Sequence, residues 1–428
     1  MPAGAGRRAR CMEELTSVAL WVQKYGGTSV ADPERIRAVA RRCLQARAAG
    51  HDLVVVVSAM SGETNRLLKL VQEMTRRPSE REQDVVVATG EQVTIGLLSL
   101  AIQAAGGKAT SFLAHQCRIV TDSTFSKARI KRIDEEPLRA ALARGDVAVV
   151  AGFQGIDEDG NVTTLGRGGS DTTAVALAAA LRAERCEIYT DVDGVYTADP
   201  NVCPAARKLD RISYEEMLEE ASLGAKVLQI RSVEFAMKYR VPLWVKSSFT
   251  DDPGTLVCEE DAAMEDVLVS GITYDRNEAR LVLRGVPDRP GVAARIFGAL
   301  DERNIVVDII VQTAQQDGRA DLSFTVGRAD LPAARETMDR LVSELGLRGV
   351  ESDDQIAKVS IVGVGMRNHS GVAARMFEVL GKEGINIQSI STSEIKVSCV
   401  VASKYSELAV RALHTAFGLD RPEGAEGR

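Results

Sequence analysis

Hydrophobic residues in the first part of the chain follow two alternating patterns, and each pattern predicts one kind of element. Unbroken apolar runs occur at 52–60 (DLVVVVSAM) and 147–155 (VAVVAGFQG), as expected of strands buried on both faces of a parallel sheet. Further strands are predicted at 18–25 and 241–248, and residues 186–195 are predicted to be a strand followed by a turn. Amphipathic stretches such as NRLLKLVQEM separate the strands. This alternation predicts an α/β domain with a mainly parallel sheet between helices.

Capping residues predict where two of the helices begin and end. Asp32 followed by Pro33 is typical of an N-cap with proline at the first helical position, and Gly50 is expected to end that helix. A second helix is predicted over SDTTAVALAAALRA, capped by Ser170 or Asp171.

The end of this domain is marked by a change in composition. Residues 213–239 are predicted to be helical throughout and are followed by a strand. The polar, turn-rich stretch TDDPGTLVCEEDAAMED then indicates a boundary. We therefore expect the first domain to cover residues 18–262.

An internal repeat follows this boundary. The pentapeptide GVAAR occurs at 291–295 and again at 371–375, and both copies have the same surroundings. Each copy reads as βαββα, to be completed by one more strand, which is the pattern of a ferredoxin-like α+β unit. We expect two such units, at 266–346 and 356–420, with a flexible tail at 421–428.

Composition narrows the classes of function. The chain has 428 residues and a formal net charge of −7, and no basic stripe with interleaved aromatics indicates nucleic-acid binding. No apolar run reaches the ~18 residues of a membrane span. The seven cysteines form no CxxC pair and the four histidines are dispersed, so we expect no zinc site, no disulfide framework and a reducing, cytoplasmic setting.

The first 17 residues contain several arginines, as a targeting segment would, but Glu13 and Glu14 interrupt them. The apolar run that follows is too short for a signal sequence. Residues 1–17 are therefore interpreted as a disordered extension, or as the result of a start codon placed too early, with Met12 as the alternative.

One corner of the first domain has the composition of a phosphate site. In WVQKYGGTSVADPERI, Lys24 ends a predicted strand, two glycines follow, and a helix begins after them. Glycine-rich turns before helices often bind phosphate through backbone N–H groups. The order differs from the P-loop, in which lysine follows the glycines. The alternative is a solvated lysine at a strand end, with glycines that only turn the chain.

Six motifs together resemble the aspartate kinase family of the amino acid kinase superfamily, whose members carry tandem C-terminal ACT domains. The motifs are QKYGGTSV, SAMSGETNRL, TGEQV, TTLGRGGSDTTA, YTDVDGVYTADP and STSEI. The likeness extends from residue 20 to residue 418. It implies an α/β amino acid kinase domain followed by two ferredoxin-like (βαββαβ) ACT domains.

The resemblance also implies a reaction, the ATP-dependent phosphorylation of the L-aspartate side chain to 4-phospho-L-aspartate. This is the first step toward lysine, threonine, methionine and diaminopimelate. The attacking carboxylate, with a pKa of ~3.9, is already ionised at neutral pH. No general base is required, and the enzyme must instead supply cations, N–H donors and fixed positions.

The matching motif positions imply the site residues. Those expected in catalysis are Lys24, Arg167 and Asp171. Those expected around aspartate are Ser58, Thr64, Glu91 and Arg167. Those expected around ATP are Lys24, Tyr25, Gly26, Gly27, Ser58, Thr190, Asp191, Tyr196, Asp199, Pro200 and Lys226. Mg²⁺ is implied by the chemistry of ATP, held mainly by phosphate oxygens and water, and no protein ligand is assigned to it.

The roles follow from the side chains. Lys24 suits the transferring phosphoryl group, Glu91 suits the substrate ammonium, and Arg167 suits a bidentate grip on the α-carboxylate. Asp171 is expected to cap its helix, to orient Lys24 and the substrate, or both.

Several of these positions have a plain structural alternative. Ser58 and Thr64 are also common helix caps. Glu91 could be a solvated helix carboxylate, and Lys226 an exposed helix lysine. Asp193 belongs to an ordinary Asp-Gly turn and is not assigned.

The ACT pair is expected to bind lysine, threonine or both as feedback inhibitors, and its loops offer N–H groups ahead of a helix in PDRPGVA. The expected effector residues are Asp288, Val292, Ala293, Asn304, Ile305, Gln312, Asn386, Ile387, Thr392 and Ser393. The alternative is that the ACT pair serves only dimerisation.

Two kinds of assembly and two other functions stay open. The chain is expected to form a homo-oligomer, a dimer, or an α₂β₂ assembly with an ACT subunit started internally at Met264. Another kinase of the superfamily, such as an acetylglutamate or glutamate 5-kinase, would share the fold. A non-catalytic amino-acid sensor is the alternative from a different class.

Overall fold

The computed structural model describes residues 19–223, 227–265, 267–314 and 318–421. The chain forms two compact units, one ending at Tyr189 and one beginning at Thr190. The predicted extension at 1–17, Lys226 and residues 422–428 of the predicted tail lie outside the described residues.

The first unit is built from strands that alternate with helices. Its strands are β1 (Leu20–Tyr25), β2 (Asp52–Val57), β3 (Ala109–Phe112), β4 (Val120–Thr121), β5 (Ile130–Arg132), β6 (Val147–Ala151), β7 (Gln154–Ile156), β8 (Val162–Thr164) and β9 (Arg185–Thr190). Its helices are α1 (Pro33–Ala48), α2 (Glu63–Met74), α3 (Glu80–Val87), α4 (Thr89–Ala104), α5 (Glu136–Ala143) and α6 (Gly169–Leu181).

The main sheet of this unit is parallel, in the order β9-β1-β2-β6-β3. All five residues of β6 and the last five of β2 are buried, because helices cover both faces of a parallel sheet. Asp32 caps α1 by accepting from the Arg35 amide at 2.9 Å, with proline in the first turn. The predicted α/β fold and this cap are confirmed. A smaller sheet in the order β5-β4-β7-β8 lies in the same unit.

The predicted cap of α6 is wrong. The N-cap is Gly168, which has a left-handed φ of 67°, and no side chain caps the helix. Ser170 and Asp171 are instead buried within the first turn. The reason is that the glycine-rich loop turns the chain one residue before the helix, which leaves both polar side chains free for other contacts.

One stretch of the described residues, Glu80–Ala104, is long and apolar enough to cross a membrane by length and composition alone. Half of its most apolar window is buried inside the protein. Leu98 and Ile102 of α4 belong to the core formed with β1, β2 and α1. This burial is typical of a core helix.

The second unit contains the remaining elements. Its strands are β10 (Arg211–Ser213), β11 (Leu243–Ser247), β12 (Thr255–Cys258), β13 (Gly271–Asp275), β14 (Glu278–Pro287), β15 (Val307–Ala314), β16 (Arg319–Gly327), β17 (Gly349–Asp353), β18 (Ile356–Val362), β19 (Ser389–Thr392) and β20 (Lys396–Ala402). Its helices are α7 (Tyr214–Ser222), α8 (Ile230–Tyr239), α9 (Ala262–Glu265), α10 (Val292–Asp301), α11 (Leu331–Leu345), α12 (Val372–Lys382) and α13 (Ser406–Ala416).

The single helix predicted over 213–239 is wrong, since the structure has two helices there. Ser213 caps α7 in a capping box with Glu216, and α7 ends at Ser222. The next helix, α8, begins only at Ile230. The sequence between them contains Gly224, a poor helix former.

Two ferredoxin-like units follow, as predicted. The first has the order β15-β16-β14-β17, with α10 and α11 packed against it. The second has the order β13-β18-β20-β19, with α12 and α13. Strand β13 precedes the first unit along the chain but pairs with β18 of the second. The second sheet is therefore completed by a strand from the range 266–346, and the first by β17, which lies beyond that range.

Candidate active site

The lysine at the end of β1 forms a buried ion pair. Lys24 Nζ lies 2.6 Å from Asp171 Oδ1, and the two side chains are only 11% and 10% exposed. Lys24 is held by pairing of β1 with β2 and β9, and Asp171 by the first turn of α6. The structure therefore brings together two of the three predicted catalytic residues, and Asp171 orients Lys24 without capping its helix.

The two glycines after Lys24 have different constraints. A Cβ on Gly27 would lie 3.0 Å from the Ala59 carbonyl oxygen, so only glycine fits without movement of that backbone. A Cβ on Gly26 would meet nothing closer than Lys24 Nζ at 3.4 Å. The Gly26 amide donates to the Tyr189 carbonyl at 3.2 Å.

The Tyr25 side chain is buried in the protein and belongs to the core rather than to the glycine corner. Its side chain is fully buried, stacks on Tyr189 with ring centroids 4.7 Å apart, and donates to Gln23. Only the backbone of Tyr25 is available to a ligand at this corner. The ring contributes to the core.

The loop after β2 lies beside the start of α4. The Ser58 amide donates to the Tyr25 carbonyl at 3.1 Å, which joins the ends of β2 and β1. The Ala59 amide donates to Glu91 Oε1 at 3.0 Å. A Cβ on Gly90 would lie 2.7 Å from Ala59 Cβ, so this glycine allows the close approach.

Glu91 is a buried carboxyl group, which contradicts the alternative of a solvated helix residue. The residue is only 2% exposed, and its Oε2 atom has no hydrogen-bond partner among the described residues. Burial raises the pKa of Glu91 to about 7, while the bond from the Ala59 amide acts in the opposite direction. A buried acceptor without a partner is suited to a cationic ligand group.

The helix-cap alternative for Ser58 and Thr64 is not what the structure has. The N-cap of α2 is Gly62, with a left-handed φ of 81° and no capping side chain. Thr64 is half-buried in the first turn of α2. Both side chains are therefore free of the capping role.

Arg167 lies in a loop whose shape is set by glycines. Gly166 and Gly168 on either side have left-handed φ values of 76° and 67°. The Arg167 side chain is exposed and makes no hydrogen bond or ion pair with any described residue. It is thus available to an external carboxylate.

Sequence reasoning missed three residues that shape this region. Gly152 leaves room for α6, since its Cβ would lie 2.7 Å from Ser170 Oγ. Phe153 has a left-handed φ of 69°, and its amide donates to Thr173 Oγ1 at 3.2 Å. Asp84 is fully buried and accepts hydrogen bonds from Ser126 and Thr164. Of these, Gly152 could have been identified from the sequence as a glycine that follows a buried strand. Nothing in the sequence marks Phe153 or Asp84.

The second unit contains a cavity of about 880 Å³. All five described residues of the predicted ATP group that belong to this unit line it: Thr190, Asp191, Tyr196, Asp199 and Pro200. Tyr196 donates to Asp193 Oδ1 at 2.9 Å. Burial and the bond to Asp193 raise the pKa of Tyr196 to about 12. Lys226, the sixth of the group, lies outside the described residues.

The predicted effector residues divide into exposed and buried side chains. The exposed ones are Asp288, Ala293, Asn304, Gln312, Asn386, Thr392 and Ser393. Val292 and Ile305 belong to the core of the first ACT unit, and Ile387 packs against the core of the second. For Val292 and Ile305 only the backbone is available to an effector.

No group of three or more His, Cys, Asp or Glu side chains in the described ranges is placed to hold a metal ion. Asp171 is paired with Lys24, and Oε1 of Glu91 accepts from the Ala59 amide.

Comparison with known proteins gives this arrangement a family. The model of the amino acid kinase family matches residues 19–247, and ACT-domain models match residues 280–343 and 359–417. The fold and site thus define an amino acid kinase with two ACT domains. An aspartate kinase of Pseudomonas putida is 60% identical over 406 residues, which cover 95% of this chain and 99% of the relative. The chain belongs to the aspartate kinase family and is an enzyme.

Solved structures agree with this family. E. coli aspartokinase III in complex with aspartate and ADP is 28% identical with a TM-score of 0.75, covering 93% of this chain and 99% of that chain. The same enzyme in complex with lysine and aspartate is 29% identical with a TM-score of 0.74, at the same coverage.

Proposed function

We propose that Lys24, Asp171, Glu91 and Arg167 carry out the transfer of the ATP γ-phosphoryl group to the side-chain carboxylate of L-aspartate. The observation that carries this proposal is the buried pair of Lys24 and Asp171 at the carboxyl end of β1, where an open α/β sheet places its ligands. Its partner observation is the unpaired, buried Glu91 oxygen.

In this reaction a side-chain oxygen of aspartate attacks the γ-phosphorus, and the bond from that phosphorus to the β,γ-bridging oxygen breaks. ADP leaves and 4-phospho-L-aspartate forms, with no proton to be removed from the attacking carboxylate. The protein's task is to bring an anion to a polyanion. The Lys24 ammonium offsets the charge of the transferring group, and Asp171 fixes its position.

Aspartate is held by its α-amino and α-carboxylate groups. Glu91 presents Oε2 to the ammonium, and Arg167 presents its guanidinium to the α-carboxylate. Ser58 and Thr64, free of capping roles, supply hydroxyl groups near them. Gly26 and Gly27 keep the corner free of side chains where the phosphates approach.

The nucleotide base and ribose are assigned to Thr190, Asp191, Tyr196, Asp199 and Pro200, and Lys226 is assigned to the nucleotide by its motif position. Their support is that the five described residues of this group line one cavity. Mg²⁺ would accompany ATP, held mainly by phosphate oxygens and water, and no protein ligand is assigned to it. When bound, the ion neutralises phosphate charge.

The ACT pair is assigned to feedback inhibition by lysine, threonine or both, and the protein to the cytoplasm. E. coli aspartokinase III, which resembles this chain, has been solved with lysine. Asp288 is exposed ahead of α10 and can pair with an effector ammonium. The assembly is a homodimer, or an α₂β₂ form with a second product started at Met264. A native-gene product that gives one full-length band on a denaturing gel favours the homodimer.

The test of the activity is hydroxamate trapping of the acyl phosphate with ATP, Mg²⁺ and aspartate. A substrate panel with acetylglutamate and glutamate is run beside it, with lysine and threonine added singly and together. Phosphorylation of acetylglutamate but not aspartate would overturn the assignment. Absence of any acyl phosphate would favour a sensor. Asp288→Ala is expected to lose inhibition, whereas Asp301→Ala, an exposed acid at the far end of α10, should keep it.

A further inference from the structure

A single carboxylate in the first unit accepts hydrogen bonds from Ser126, in the 122–128 turn, and from Thr164, at the end of β8 where another loop begins. Asp84 on α3 is fully buried. It accepts from the Ser126 amide at 2.8 Å and the Ser126 hydroxyl at 3.2 Å. It also accepts from the Thr164 amide and the Thr164 hydroxyl, both at 2.8 Å. Because an ionised carboxylate is an acceptor only, all four donors are satisfied by one side chain.

The two loops that Asp84 joins also touch each other. The Ala128 amide donates to the Thr164 carbonyl at 2.9 Å. A Cβ on Gly166 would lie 3.0 Å from the Ser126 carbonyl oxygen, so the loop after β8 rests directly on the 122–128 turn. Ser126 itself has a left-handed φ of 64°. Such a conformation costs free energy in a non-glycine residue and persists only where the surroundings fix it.

The loop after β8 is the one that carries Arg167. Since the Arg167 side chain has no bond to any described residue, its position depends on the backbone of 164–168. That backbone is fixed at its start by the Thr164 amide on Asp84 and by the Leu165 amide on the Phe153 carbonyl at 2.8 Å, and at its end by α6. Between them lie Gly166 and Gly168, which impose no rigidity of their own.

We propose that Asp84 is a positioning residue for Arg167, holding the glycine-rich loop so that the guanidinium meets the α-carboxylate of the substrate. Asp84 is buried and does not touch the substrate. The proposal rests on the role assigned to Arg167 above. It predicts that weakening the Asp84 contacts raises the KM for aspartate and leaves the KM for ATP unchanged.

Two neighbouring threonines allow a matched test. Thr164→Val removes one hydroxyl bond to Asp84 and keeps the amide bond. Thr163→Val is the control, because Thr163 is equally buried on the same strand but its hydroxyl bonds Thr121 at 2.7 Å instead of Asp84. Loss of a hydrogen bond to a charged group typically reduces an equilibrium about tenfold or more, and here the amide bond to Asp84 is kept. We expect Thr164→Val to raise the aspartate KM about fivefold to tenfold, and Thr163→Val to leave it within about twofold.

A double-mutant cycle separates positioning from general loosening. In an Arg167→Ala background, Thr164→Val should raise the aspartate KM no further, because the residue through which it acts is gone. Effects that simply multiply in the double variant, or equal effects of the two threonine variants, would overturn the proposal.

A third readout does not depend on the substrate. Amide hydrogen exchange across 164–168, measured without ligands, should be faster in Thr164→Val than in wild type and unchanged in Thr163→Val. Unchanged exchange in Thr164→Val overturns the positioning role even if the enzyme phosphorylates aspartate. If exchange is faster but the enzyme does not accept aspartate, Asp84 still fixes the loop. The assigned function is then overturned, and with it the proposed contact between Arg167 and the α-carboxylate.

Discussion

Thr197 Oγ1 and His414 Nε2 lie 2.9 Å apart, and this bond joins the segment that lines the cavity of the second unit to α13 of the second ACT unit. Thr197 also accepts from the Arg207 amide at 2.9 Å, and its carbonyl accepts from the Ile272 amide of β13 at 2.8 Å. Ala198, next along the chain, belongs to the hydrophobic core of that ACT unit. The segment that lines the cavity and the sheet of the second ACT unit thus contribute to one hydrophobic core.

The shared core leads to a prediction for Thr197→Val, which removes the hydroxyl bonds to His414 and to the Arg207 amide at nearly constant volume. We expect the KM for ATP to rise several-fold while the KM for aspartate stays unchanged, since the five predicted base and ribose residues line this cavity. Thr163→Val, a buried threonine in the other unit, is the control. Equal changes in both KM values would argue against a selective effect on the nucleotide.

The burial of His414 predicts a pH dependence of stability. Burial lowers the pKa of His414 below its ordinary value of 6.5. The unfolded chain therefore binds a proton more readily, and the stability contributed by neutral His414 is present above pH 6.5 and is lost as the pH falls through the lower pKa of the folded state. The difference in melting temperature between His414→Gln and wild type should be smallest at low pH. A difference that is the same at pH 5 and pH 8 would contradict this.

Lys24→Met should lower kcat at least about a hundredfold, because loss of a charged transition-state contact costs ~3 kcal/mol or more. Arg167→Ala should chiefly raise the KM for aspartate. Initial-rate kinetics in both substrates separate the two effects. Lys69→Met, on the exposed face of α2, is the matched control and should behave as wild type. Near-normal turnover in Lys24→Met would remove Lys24 from the reaction.

Site residues that belong to a sequence motif could be predicted, whereas a residue whose partners lie far away along the chain could not. Lys24 and Asp171 were predicted because each lies in a motif of the family. Asp84 belongs to no such motif, and its partners lie 42 and 80 residues away, so nothing local marks it. The buried ring of Tyr25 shows the opposite limit, because a motif identifies a position but not the direction of its side chain.

The fold was predictable to the level of its units but not to their strand exchange. Buried runs such as β2 and β6 indicated the parallel sheet, and the GVAAR repeat indicated two ACT units. Both copies, however, needed one more strand. Strand β13 lies at an edge and pairs only with β18 within its sheet, so periodicity alone could not say which of the two sheets it would join.

Glu91 predicts a pH profile for substrate binding. Burial raises its pKa to about 7, so the carboxylate that we propose binds the aspartate ammonium is progressively lost below neutral pH. We expect kcat/KM for aspartate to fall about tenfold per pH unit below pH 7. In Glu91→Gln, kcat/KM should be low and independent of pH over this range. A wild-type profile that is flat between pH 5.5 and 7 would exclude this role.

The same group has a linked effect on folding. The folded state binds the Glu91 proton more tightly than the unfolded chain, whose ordinary pKa is 4.5. The stability contributed by protonated Glu91 is therefore complete below pH 4.5 and is lost as the pH rises through about 7. The melting temperature of Glu91→Gln relative to ligand-free wild type should rise across this window, and added aspartate should reduce the difference.

A triad of charged side chains, two of them buried, joins the two ACT sheets. Lys358 on β18 donates to Glu278 on β14 and to Asp308 on β15. The Lys358 and Glu278 side chains are 5% and 8% exposed, whereas that of Asp308 is 50% exposed. Burial raises the pKa of Glu278, and the lysine opposes that rise. The lysine thus neutralises a carboxylate that would otherwise be buried without a counter-charge.

Lys358→Met should accordingly destabilise the second unit by about 3–5 kcal/mol, the typical cost of leaving one member of a buried pair uncompensated. Adding Glu278→Leu should recover much of this loss, since the double variant buries no unpaired charge. Arg328→Ala, which breaks the exposed pair of Arg328 and Asp354, is the control and should cost at most about 1 kcal/mol. Denaturant unfolding at neutral pH measures all three. If Lys358→Met costs no more than the control, or if the double variant recovers nothing, the triad does not hold the two sheets together.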